Sequence, residues 1–109
     1  MNAKKELIRH FNDELRRNLT QGGAFMTVGV AALGAEIAER IFDAIMQYDD
    51  FCQDSDPYGE GDFGSVKVEG HTILFKVDYY STDMKTASPD PSDPSVTRRV
   101  LTIMLAEEY

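Results

Sequence analysis

Between Ile41 and Val66 the chain carries seven carboxylates, Asp43, Asp49, Asp50, Asp54, Asp56, Glu60 and Asp62, and no Lys or Arg. Carboxylates at that density can ligate a hard cation, divide acid and base roles, or face a basic partner. Asp54, Asp56, Gly59, Glu60 and Asp62 fall on the first, third, sixth, seventh and ninth positions of a calcium-loop pattern. The fifth position is Tyr58, however, and the twelfth is Ser65 where a bidentate Glu is needed, so no metal is expected. His10, His71 and Cys52 lack zinc-ligand spacing. There is no GxSxG, and the glycines at 59, 61 and 64 precede a strand, where no helix N-terminus can meet phosphate. Nothing separates one carboxylate environment from another, as acid–base catalysis requires. No catalytic residue, no cofactor and no enzyme activity are expected.

Partner binding is the chemistry that remains. The expected contact residues are Asp49, Asp50, Asp54, Asp56, Tyr58, Glu60 and Asp62, which lead into a hairpin. Asp78 and Tyr80 follow at its far end, and Asp90 and Asp93 lie in a proline-rich loop beyond. Tyrosines among acids suit a protein interface. Nineteen acids against eleven bases leave a net charge of −8, which repels nucleic acid and anionic membranes. The complement of such a chain is a basic protein surface, for which it would compete with nucleic acid.

The same composition bounds the fold. A chain of 109 residues makes one domain, residues 1–109. No apolar run is long enough to span a membrane, and no apolar segment follows the charged N-terminus as in a signal peptide. One cysteine excludes an internal disulfide and fits a reducing cytoplasm.

The elements that must position these residues follow from periodicity. Leu7, Phe11, Leu15 and Leu19, with Ile8 alongside, stripe a helix over residues 4–19, whose basic remainder reads as a solvated face. Residues 24–30 read as a strand weakened by Gly29. Leu33, Ile37, Ile41, Ile45 and Tyr48 line a second helix. From Asp62 to Tyr80 two alternating runs flank Glu69-Gly70, which predicts a hairpin with Val66 facing Ile73, Gly64 facing Phe75 and Phe63 facing Lys76. A cation–π contact is expected at that last pair. Three prolines within residues 88–94 forbid regular structure there, and residues 96–106, apolar on both faces, read as a central strand. The expected fold is α+β: an antiparallel sheet of about four strands with two helices packed on one face, in the order α-β-α-β-β-β. The acidic and proline loops should meet at the open end of the hairpin.

Several segments also resemble a family of small bacterial plasmid-related proteins of unknown function. They are Asp56-Pro-Tyr-Gly-Glu60 with Asp62-Phe-Gly64, Phe75-Lys-Val-Asp-Tyr-Tyr80, residues 88–94, and Arg99 through Ala106. The resemblance implies a cytoplasmic protein of a plasmid or other mobile element and carries over no catalytic residue. In that context an acidic, non-enzymatic chain is expected to be an anti-CRISPR or anti-restriction inhibitor that occupies a basic surface of a host defence protein or nuclease complex. The alternatives are a plasmid-maintenance interaction module or homodimer, and a small hydrolase working through carboxylates such as Asp62 and Asp78.

Overall fold

The structure, a computed structural model, describes residues 3–18, 22–49 and 59–109. Helix α1 spans Ala3–Asn18, strand β1 Gly22–Met26, helix α2 Val28–Ala31 and helix α3 Ala35–Met46. Strands β2 (Phe63–Val68), β3 (His71–Tyr80) and β4 (Arg98–Leu105) follow, then a 3-10 turn over Ala106–Glu108.

The hairpin takes the register that alternation predicts: Phe63 pairs with Lys76, Gly64 with Phe75, Val66 with Ile73 and Val68 with His71. Glu69 and Gly70 both have positive φ, 52° and 82°, as a two-residue turn of this hand requires. Gly70 adopts that conformation readily. Glu69 does so against its preference, and Arg40 of α3, itself paired with Glu36 at 3.2 Å, holds its carboxylate.

The sheet is mixed, which corrects the antiparallel expectation. Its order is β1-β4-β3-β2, and β1 runs parallel to β4. β4 is central, as its two apolar faces demand, but periodicity encodes no strand direction. The path of the intervening chain sets it.

A second correction concerns residues 24–30. The strand stops at Met26, and Thr27 caps a helical turn that begins at Val28. Glu108 locks this break. Its carboxylate accepts hydrogen bonds from Thr27 Oγ1 at 2.5 Å, Gly29 N at 3.1 Å and Leu105 N at 2.8 Å. The Thr27 hydroxyl, helped by the Leu105 amide, holds its pKa below the ordinary value. Among the described residues there are therefore three α-helices where two were expected.

The core joins Leu15 of α1, Val30 of α2 and Ile41 and Ile45 of α3 to Ile73, Phe75, Val77, Leu101 and Ile103 of the sheet. All five strand residues lie on one sheet face by register. Gly64 is buried opposite Phe75, whose ring meets Tyr48 edge-on with centroids 5.1 Å apart. A Cβ there would come within 2.5 Å of Phe75 and 2.7 Å of Tyr48. Gly64→Ala should therefore cost about 1–3 kcal/mol through overpacking, read as a lower urea midpoint at unchanged slope. An unaltered midpoint would show that the ring pair yields freely.

Candidate functional site

Arg99 lies in phase with Leu101 and Ile103 on β4, so the strand carries a guanidinium onto the face that builds the core. It is fully buried. A cation there must replace its hydration with fixed acceptors and polarisable surfaces. Nε donates to Asn12 Oδ1 at 2.9 Å, and Nη2 donates to the Pro91 carbonyl. The guanidinium carbon lies 5.2 Å from each of the Phe11 and Tyr79 ring centroids. Nη1 has no hydrogen-bond partner among the described residues. Burial lowers the Arg99 pKa from its ordinary value, and the charges of Tyr79 and Glu60 oppose the shift.

Asn12, also fully buried, is the hub. While Oδ1 accepts from Arg99, Nδ2 donates to the Glu60 carbonyl at 3.0 Å and to Tyr79 Oη at 2.7 Å. Tyr79 Oη donates in turn to Glu60 Oε1 at 3.0 Å. Burial pushes the Tyr79 phenol far above the tyrosine range; the Asn12 bond opposes this, and the charges of Asp62 and Glu60 add to it. One network thus ties α1, β3 and β4 to the residues entering β2 and to the proline loop.

That loop is built from a tandem Asp-Pro-Ser. Asp90 Oδ1 accepts from Ser92 N at 3.1 Å and Ser92 Oγ at 2.6 Å; Asp93 Oδ1 accepts from Ser95 N at 2.9 Å and Ser95 Oγ at 2.7 Å. Backbone bonds from Asp93 N to Asp90 O and from Val96 N to Asp93 O close two successive turns. The Ser92 hydroxyl and amide hold the Asp90 pKa down. Lys4 of α1 lies 3.6 Å from the Asp90 carboxylate, and the Lys5 side chain approaches Gly59. The described part of the acidic loop and the proline loop therefore meet at the open end of the hairpin, bridged by α1.

Of the residues expected to bind a partner, Asp50, Asp54, Asp56 and Tyr58 lie outside the described residues, as do Cys52 and the first five positions of the calcium-loop pattern. Asp49 is exposed just beyond α3. Glu60 and Asp62 belong to the network or its margin, and the Asp62 carbonyl accepts from Val77 N at 2.8 Å. Asp78 sits on the opposite sheet face, 3.0 Å from Lys76, so the fold does not bring Asp62 and Asp78 together. That ion pair, its hydrogen bond foremost, raises the Lys76 pKa, and the Phe63 ring packs against Tyr109 instead of Lys76. Tyr80 is half-buried and bridges to Ala87. Asp90 and Asp93 hold turns.

Sequence reasoning missed Asn12, Arg16, Tyr79 and Arg99. The basic side of α1 is not a solvated face throughout. Arg16 is fully buried, with Nη1 donating to Asp13 at 3.1 Å and Nη2 to the Tyr48 carbonyl at 3.0 Å, and its guanidinium lies 5.8 Å from the Phe75 centroid. Burial lowers its pKa while Asp13 opposes the shift. Leu7, at the head of the expected stripe, is 45% exposed, because α1 is turned to bring Asn12 and Arg16 inward. The available signals were the in-phase Arg99 and the repeated Asp-Pro-Ser.

Removing the hub would take a hydrogen bond from three groups at once. Asn12→Ala should destabilise by about 3 kcal/mol, since a buried cation loses an acceptor, and a double-mutant cycle with Tyr79→Phe should give clear coupling. Additive losses would mean the two do not share a network. The alkaline limb follows from Tyr79. A phenol whose folded pKa is raised contributes stability in full below the ordinary value of about 10, and loses it as pH climbs above. An ultraviolet titration should show one tyrosine ionising only as the protein unfolds, and five tyrosines titrating together in the folded protein would contradict it.

A family model described as "Protein of unknown function (DUF3768)" matches residues 26–108. No curated protein and no solved structure matches the chain. The chain belongs to the DUF3768 family; the matched stretch includes Tyr79 and Arg99, and Asn12 and the rest of α1 precede it.

Proposed function

We propose that the protein is a non-enzymatic acidic binding protein of a mobile element, acting in the host cytoplasm as an anti-CRISPR or anti-restriction inhibitor by occupying a basic surface of a defence nuclease complex. One observation supports this reading above the others: the fold uses its cations internally. Arg16 and Arg99 are buried, and Arg9, Arg40, Lys4 and Lys76 each sit against a carboxylate. Cations engaged in this way leave few to offset the remaining carboxylates of a chain with a net charge of −8. In sequence, the run from Asp43 to Asp62 begins on α3 and ends where the hairpin starts.

In mechanism, carboxylates take the place of phosphates against Lys and Arg of the nuclease. Asp49, Asp50, Asp54 and Asp56 are the acids proposed to meet the nuclease first. Asp90 and Asp93 contribute less, each having one carboxylate oxygen committed to a turn. Glu60 contributes less as well, being bonded to Tyr79 and Asn12.

Binding of this kind weakens steeply with salt. The test is inhibition of DNA cleavage across a panel of purified CRISPR effectors and restriction nucleases. Asp54→Lys with Asp56→Lys should raise the inhibitory concentration at least about tenfold, and Asp93→Lys should have a smaller effect. Intact inhibition after the double reversal would sink the mechanism; no inhibited nuclease in the panel would sink the function.

A further inference from the structure

Among the described residues, the second face of the sheet lies outside the main core cluster, with Met104 buried on it and the other side chains half-buried or exposed. Its middle row, read across the strands, is Phe25, Thr102, Lys76 and Phe63. Phe25 is 60% exposed, and Tyr109, 77% exposed, packs its ring 5.9 Å from that of Phe63. Lys67 and Arg98 stand exposed in the outer rows. The strands thus place Lys67, Lys76 and Arg98 on this face with Asp78 as their one acid, in a chain of nineteen acids and eleven bases. The exposed ridge of α3 is the reverse. Glu36, Glu39 and Asp43 are all exposed there, and the cation among them, Arg40, is held by Glu36 and Glu69.

We propose that the open sheet face docks the α3 ridge of a second copy of this chain. Charge complementarity selects this occupant. The face carries three bases and one acid on its strands and is partly aromatic, and the ridge carries three acids and one base. Spacing agrees. Arg98 pairs with Tyr80, four residues along β3 from Lys76, or about 13 Å. Glu36 and Asp43, seven residues apart on α3, are separated by about 10 Å, a difference that long basic side chains span. Face-to-face pairing of two sheets is the poorer solution, because Lys76 and Thr102 occupy the middle row where a sandwich needs apolar residues, and like charges would meet. Docking face to ridge is heterologous: the copy that docks its face keeps a free ridge and the other keeps a free face, so association continues into a ring or an open chain. The net charge of −8 opposes it at long range, so the contact is weak and concentration-dependent. It does not rest on the inhibitor reading, since it uses α3 and the open face and leaves Asp54 and Asp56 untouched.

Sedimentation velocity of the full chain over a concentration series tests it. At an ionic strength of about 0.02 M the weight-average mass should rise with concentration, and the apparent dissociation constant should increase at least about tenfold at about 0.5 M salt. Lys76→Glu with Arg98→Glu should abolish the rise, as should Glu36→Lys with Asp43→Lys. An equimolar mixture of the two double variants should restore association, because the reversed face of one then meets the reversed ridge of the other. Lys76 is half-buried and the other three side chains are exposed, and circular dichroism confirms that each variant is folded. If one is not, Phe25→Ser serves in its place and should weaken association. A monomer at every concentration in low salt overturns the proposal. So does association that ignores salt and both double variants, or a mixture that stays monomeric.

Discussion

Among the described residues, Arg99 is a buried cation with no carboxylate in hydrogen-bonding contact, and the fold is arranged to make that tolerable. Removing a guanidinium from water costs several kcal/mol even after relaxation. Neutral groups supply the compensation: the Asn12 amide oxygen, the Pro91 carbonyl and the faces of Phe11 and Tyr79. These come from α1, β3 and the proline loop, while the arginine comes from β4. No two of those elements suffice, so the cost of burying the charge is met only when all are in place. That dependence makes docking of α1 cooperative with formation of the sheet, and it sets one position for the helix where apolar packing alone would accept several.

Arg16 works in the opposite direction. It leaves α1 and reaches the end of α3 at the Tyr48 carbonyl, with Phe75 of β3 under its guanidinium. The two arginines together tie the N-terminal helix to both layers. They also shape the exterior, because positive charge drawn into the fold cannot offset carboxylates outside it. Surface acidity is therefore partly a product of packing.

The hairpin was legible because alternation with a two-residue turn leaves one register that puts Val66, Ile73, Phe75 and Val77 on the same face. The central position of β4 was legible for a related reason: apolar residues on both its faces require cover on both sides or neighbours at both edges. The strand–helix break at Thr27 was not. The residues from Ala24 to Val30 favour a strand locally, and Glu108, far away in the chain, supplies the acceptor that stabilises the turn. The candidate site was legible only in outline. Acids and prolines marked the loops, and their alternation with serine encoded the turns at Asp90 and Asp93. The hub residue was invisible, because an asparagine among helical polar positions carries no mark of burial.

What the sequence by itself determined is local: hairpin register, element types over most of the chain, the Asp-Pro-Ser turns and the excess of negative charge. Each follows from short-range sterics, side-chain periodicity or counting, none of which needs distant contacts. The tertiary structure alone decided the parallel direction of β1, the rotation of α1 that buries Asn12 and Arg16, and the union of two loops around Arg99. Those outcomes depend on which groups can satisfy one another across the chain. The desolvation of a buried charge is a property of all its neighbours together and cannot be assigned to any one segment.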